Sequence, residues 1–182
     1  MRTSQLIIAA MFGLAVSSAQ ALTVSSTQAQ TQSGGVYNFI FSGLSTSSSS
    51  GGSITFSARG DYTFNFSGPS NPIEVLTGTA ESLNFGVMGV DNADTTTAFD
   101  FDDNFWSKTF LLSSADILSL IADGALNVSV SLDSNVDLFN PGTAYVGIDF
   151  TTYTPSQSVP EPGSLLLIGG ALAALGAARR RK

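Results

Sequence analysis

Apolar and polar residues alternate along most of this chain, and that period of two decides the reading of its fold. From Leu126 to Leu138, the apolar residues Leu126, Val128, Val130, Leu132, Val136 and Leu138 interleave with Asn127, Ser129, Ser131, Asp133, Asn135 and Asp137. Only Ser134 interrupts the series. Such a segment is a strand with one buried and one wet face. Ile54, Phe56, Ala58, Tyr62, Phe64 and Phe66 form a second case, with Thr55, Ser57, Arg59, Asp61, Thr63 and Asn65 on the other face and Gly60 marking a bend. Ala144, Val146, Ile148 and Phe150 repeat the pattern, as do Leu83, Phe85 and Val87. Shorter strands are expected at Val36–Ser42, Ile73–Thr77, Ala98–Phe101 and Trp106–Leu112.

The connections carry turn chemistry. Ser45–Ser53 is a Ser/Thr/Gly loop, and Gly68-Pro69-Ser70-Asn71-Pro72 and Asn140-Pro141-Gly142 are turns. A single short helix is expected at Ser114–Ala122, capped by Ser113 or Ser114, with Asp116 in its first turn and Ile117, Leu118 and Ile121 facing inward. Asp123-Gly124 ends it. Gln28–Gly35 reads as a mobile lead into the first strand. About seven or eight strands with one helical turn predict an all-β fold, an antiparallel β-sandwich of jelly-roll-like order, over residues 22–154.

The two ends depart from this pattern. Met1 to Ala21 has the three parts of a secretory signal peptide: Arg2 beside the free amine, the apolar run Leu6–Val16, and the small-x-small site formed by Ala19 and Ala21. Cleavage by signal peptidase would start the mature chain at Leu22. At the other end, Pro155–Ser158 is a linker, and 159–182 is a separate segment. Pro160 and Pro162 remove backbone donors and hold Val159-Pro160-Glu161-Pro162 extended. Leu165–Ala178 contains only Leu, Ile, Ala and Gly. As a helix it would span about 21 Å, short of a hydrocarbon core of roughly 30 Å unless its flanks snorkel or the bilayer thins. Arg179, Arg180, Arg181 and Lys182 would hold its far end on the cytoplasmic side.

A rigid Val-Pro-Glu-Pro motif, an apolar run and a basic cluster, in that order, resemble the PEP-CTERM sorting signal. The resemblance implies that a membrane-embedded exosortase, a transpeptidase-like enzyme, reads the motif and removes the tail. It implies transient anchoring in the inner membrane, then delivery to the cell surface or an exopolysaccharide matrix. The order of features from Arg59-Gly60-Asp61 through Asp91 to Ala122-Asp123-Gly124-Ala125-Leu126 is also similar to sandwich domains carried by such proteins, which favours the sandwich.

Composition narrows the chemistry. Only 12% of residues are charged, and the surface must be hydrated largely by hydroxyls and amides. Of the 14 carboxylates only Glu161 lies in the tail, leaving thirteen against Arg59 and Lys108, a balance near −11 that repels phosphate backbones and argues against nucleic-acid binding. With no Cys and no His, the chain has no disulfide, no thiolate, no imidazole base and no ordinary zinc site. The signatures G-x-S-x-G, S-x-x-K and the P-loop are missing, so no enzyme is expected.

Two ligand classes remain as alternatives. Asp91, Asp94, Asp100, Asp102 and Asp103 are the densest carboxylates, and hard cations such as Ca²⁺ take oxygen ligands. Asp100, Asp102 and Asn104 begin an EF-hand spacing, but Phe105 and Leu111 occupy its glycine and bidentate-acid positions. Asp133, Asn135 and Asp137 are better read as the wet face of a strand. Trp106, Tyr145 and Tyr153 are the aromatics that could stack on sugar rings, with core burial the preferred reading for Trp106. The expectation is therefore an exported, non-enzymatic surface or matrix protein needing no cofactor, with a calcium- or carbohydrate-binding module as the alternative.

Overall fold

The computed structural model describes residues 21–46, 49–63, 74–100, 103–138 and 142–154. The expected signal peptide up to residue 20, the strand end at Phe64 and Phe66, the Gly68–Pro72 turn and the whole sorting segment lie outside them. Nine strands and one helix follow in order: β1 (Ala21–Ala29), β2 (Gly35–Ser42), β3 (Gly51–Gly60), β4 (Leu76–Ala80), β5 (Leu83–Met88), β6 (Thr95–Ala98), β7 (Asn104–Leu112), α1 (Ser114–Leu120), β8 (Ala125–Leu132) and β9 (Tyr145–Tyr153). A 3₁₀ turn, Val90–Asn92, joins β5 to β6.

These strands form two antiparallel sheets, a five-stranded one ordered β1-β9-β3-β7-β6 and a four-stranded one ordered β2-β8-β4-β5. The pairings are nested: β1 with β9, β2 with β8, β3 with β7 and β4 with β5. One long antiparallel ribbon has rolled up, and the contacts β3–β9 and β4–β8 then complete each sheet. That order is the jelly roll expected from the alternation, with β6 added as an extra edge strand.

The alternation turns into burial as expected. Tyr37, Phe39 and Phe41 of β2, Ile54, Phe56 and Ala58 of β3, Leu126, Val128, Val130 and Leu132 of β8, and Val146, Ile148 and Phe150 of β9 all face the core. Phe56 occupies its middle, with its ring centroid 5.0 Å from that of Phe85, which lies 4.9 Å from that of Phe110. The opposing sheet makes room at Gly78, where an added methyl carbon would come within 2.5 Å of the Phe56 ring. Helix α1 is capped as expected: the Ser113 hydroxyl accepts from the Asp116 backbone N–H, and the Asp116 carboxylate accepts from that of Ser113. Its Ile117 and Leu120 are buried, while Leu118 is exposed, contrary to its expected inward position.

Several boundaries differ from the expected ones, each for a physical reason. The expected lead overlaps a real strand, because Gln28 and Ala29 belong to β1. That strand lacks apolar alternation because it lies at a sheet edge, with its side chains at best half-buried and its hold coming from backbone pairing to β9. The segment Leu126–Leu138 splits at Leu132, and the break at Ser134 is a turn in which the Asp133 carboxylate accepts from the Asn135 N–H. Val136 still reaches the core from that loop. Strand β3 takes the last three residues of the expected Ser45–Ser53 loop, starting at Gly51. β4 starts three residues later than the expected Ile73–Thr77 and β6 three residues earlier than the expected Ala98–Phe101, because Thr-rich edge and near-edge strands carry little apolar signal.

If the fit of Phe56 against Gly78 is as tight as the geometry shows, Gly78→Ala should lower unfolding free energy by about 1–3 kcal/mol. Urea denaturation of the variant beside the parent would measure it, and an unchanged midpoint would mean that the sheets do not meet there.

Candidate functional site

The fold pairs two of the expected acidic residues, Asp94 and Asp103, with Lys108 and Arg59. Asp94, in the turn before β6, accepts from the Lys108 ammonium at 3.0 Å and from the Thr109 backbone N–H at 2.7 Å. The Thr109 N–H first, and then Lys108, hold its carboxyl below the usual value of 3.8. Asp103 is 5% exposed and takes both oxygens to Arg59, whose Nε and Nη2 donate at 3.0 and 2.8 Å. The guanidinium also lies 3.8 Å from the centre of the Phe99 ring. Asp91 sits in the exposed 3₁₀ turn and Asp100 in an exposed bend, while Asp102 lies outside the described residues. Among the described residues, no group of three or more Asp or Glu is gathered to hold a metal ion.

The aromatic candidates separate in the same way. Trp106 is wholly buried, edge-on to Tyr62 at 5.7 Å between centroids, and so presents no face to a sugar. Among the described residues, neither its indole N–H nor the Tyr62 hydroxyl has a hydrogen-bond partner. Burial pushes the Tyr62 phenol far above its usual range. Tyr153 is 41% exposed and Tyr145 is half-buried, and both project from the outer face of β9.

Between those two tyrosines the register assembles a surface of hydroxyls. Thr23, Ser25 and Thr27 of β1 stand opposite Thr151, Asp149 and Gly147 of β9, and these stand opposite Ser53, Thr55 and Ser57 of β3. β7 continues the rows with Leu111, Thr109 and Ser107, and β6 adds Thr95 beside Ser107. Neighbouring hydroxyls bond to each other across strands: Thr23 to Thr151 at 2.9 Å, Thr55 to Thr109 at 2.9 Å and Thr95 to Ser107 at 2.6 Å. The chain's low charge is thus expressed as a hydrated, largely hydroxyl-covered face.

The outer face of the four-stranded sheet differs. There a groove of about 350 Å³ is lined by Asn38, Phe39, Ile40, Thr79, Glu81, Asn127, Val128 and Ser129. Sequence reasoning missed this groove. Asn127 and Ser129 were legible as the wet face of their strand, but only the pairing register brings Asn38, Thr79 and Glu81 beside them. The Pro-Glu-Pro motif and basic cluster, from Val159 to Lys182, and Ala19 lie outside the described residues, whereas Ala21 opens β1. No helix among the described residues is long and apolar enough to cross a membrane, and the run Leu165–Ala178 falls outside that search.

The fold defines a jelly-roll β-sandwich, with one outer face covered largely by hydroxyls and no gathered carboxylate site among the described residues. Comparison with known proteins adds the route. Residues 158–182 match the family described as the PEP-CTERM protein-sorting motif. The chain is thus a carrier of the PEP-CTERM sorting motif, which marks an exported protein sorted transiently at the membrane and processed by exosortase. No curated protein and no solved structure matches the chain.

The ion pair at Asp94 gives a signed prediction. Its folded carboxyl titrates below the unfolded value, so its contribution is fully present above pH 3.8 and is lost as pH falls through the lower folded value. Asp94→Asn should therefore lower the urea midpoint at about pH 7, and the gap to the parent should narrow as the pH is taken below 3.8. A gap that stays the same size at every pH, above and below 3.8, would contradict the assignment.

Proposed function

We infer that this is a non-enzymatic protein of the cell surface or exopolysaccharide matrix, whose sandwich is the cargo and whose tail is the delivery device. The match at residues 158–182 carries the reading, because that motif binds the chain to an export route ending outside the inner membrane. The domain suits such a destination. It has no cysteine whose oxidation could matter, and its stability rests on a packed apolar interior. Its surface offers hydroxyls and amides to a hydrated polymer rather than a dense field of charge.

Both processing steps fit the domain boundaries. Signal-peptidase cleavage after Ala21 removes one residue from β1 and leaves Leu22–Ala29 to pair with β9. Exosortase cleavage near Val159-Pro160-Glu161-Pro162 falls beyond Tyr153, the last residue of β9. The partners in this reading are signal peptidase, exosortase, the inner membrane in passing and an exopolysaccharide at the destination. The Asp94 and Asp103 carboxylates are already paired with Lys108 and Arg59, so the domain is read as needing no calcium.

Intact-mass measurement of the protein recovered from its cells and from their surroundings tests the route. The expected species begins at Leu22 and lacks the Arg179–Lys182 end. Material that keeps Lys182 and partitions freely into water would overturn it. For the metal, millimolar calcium and a chelator should give the same melting temperature, because a ligand bound to the native state alone would raise it. A rise in calcium would restore the calcium module.

A further inference from the structure

The groove on the four-stranded sheet is assembled by strand register and by one carboxylate held in place at its end. Register fixes two short rows across three strands. Asn38 of β2 stands opposite Ser129 of β8, which stands opposite Thr79 of β4. In the next row of the same face, Ile40 stands opposite Asn127. Glu81, the first residue of the β4–β5 turn, closes that second row: its backbone N–H donates to the Asn127 carbonyl at 3.0 Å. Its Oε1 accepts from both the backbone N–H and the side-chain amide of Asn127, each at 2.8 Å. Glu81 has φ 48°, a left-handed conformation that few residues with a Cβ adopt. Two hydrogen bonds therefore fix this carboxylate at one end of the groove, and neither uses its Oε2.

The chemistry of this lining is specific. The Asn38 amide can donate and accept, the Thr79 and Ser129 hydroxyls can do either, and the Glu81 Oε2 can accept. Ile40 is 72% exposed and supplies the apolar area beside them. A pyranose presents that same pair of surfaces, a rim of hydroxyls and a face of C–H groups. Strands stand about 4.8 Å apart, so three of them span roughly 10 Å, the width of one or two sugar rings. A volume of about 350 Å³ is at the small end for a ligand site, and the open surface lets a chain pass through. A fixed carboxylate in a domain rich in acids repels uronates, sulfates and phosphates.

We propose that Asn38, Ile40, Thr79, Glu81, Asn127 and Ser129 form a binding subsite for an uncharged pyranose chain. The inference deepens the matrix reading, from which it takes only the place where such a chain would be met. It also puts the sugar on the opposite sheet from Tyr145 and Tyr153.

The test is calorimetric titration of the full-length chain in detergent micelles with cellohexaose and chitohexaose, and with hexagalacturonate as the charged probe. At least one neutral hexamer should bind and the charged one should not. Asn38→Ala, Glu81→Gln and the isosteric Thr79→Val should each weaken binding by about fivefold or more while unfolding as one cooperative transition. Binding that survives all three changes undiminished, or that is lost in Tyr145→Ala instead, would overturn the site and leave the matrix reading standing. Failure of both neutral hexamers to bind would overturn it too, while the intact-mass and fractionation results would decide the matrix reading on their own.

Discussion

Two sheets without a disulfide between them are held together chiefly by what their inner faces bury, and that requirement fixes the rest of the structure. It is most acute where the Phe56 ring lies against the bare backbone of Gly78. Around that contact each inward residue of the central strands must be apolar, and each outward one is free to be polar. The nested pairing then follows from the ribbon having one apolar side. Rolling it buries that side on both sheets at once, with the first described strand, β1, meeting the last, β9. The edges are handled locally. At β2 the Gln28 side chain donates to the Asn38 carbonyl at 2.6 Å, satisfying one acceptor that an open edge would expose.

How legible this was depended on where a strand sits. The central strands β3, β8 and β9 declared themselves because both neighbours and the opposing sheet select for period two. β1 was invisible: Thr23, Ser25, Ser26, Thr27 and Gln28 lie at an edge, where backbone pairing suffices and no apolar alternation is needed. Val136 misled in the other direction. It is buried from a loop, so it prolonged the apparent strand beyond its real end at Leu132. The cap at Ser113 was readable because capping depends on residues three apart, a distance the sequence shows directly.

Sites were harder to read than strands. A cluster of carboxylates in sequence gave Asp91 to Asp103, yet the fold assigns Asp94 to Lys108 and Asp103 to Arg59, using the only two cations in the middle of the chain. The groove residues come from β2, β4, the turn after it and β8, and nothing local ties Asn38 to Thr79 or Glu81 to Asn127. Only the register does. The sorting segment was the opposite case, since its meaning lies in the linear order of prolines, apolar run and basic cluster, which needs no tertiary structure to be recognised.

The rolled ribbon is tested most directly where its two extremes meet. Because the chain has no cysteine, Thr23→Cys combined with Thr151→Cys places the only two thiols on paired positions of β1 and β9, where the native hydroxyls stand 2.9 Å apart. Mild oxidation of the folded protein should join them quantitatively into an intramolecular disulfide, whereas the register-shifted pair Thr23→Cys with Thr152→Cys should stay reduced. Equal crosslinking of both pairs, or of neither, would mean that β1 does not close the five-stranded sheet as described.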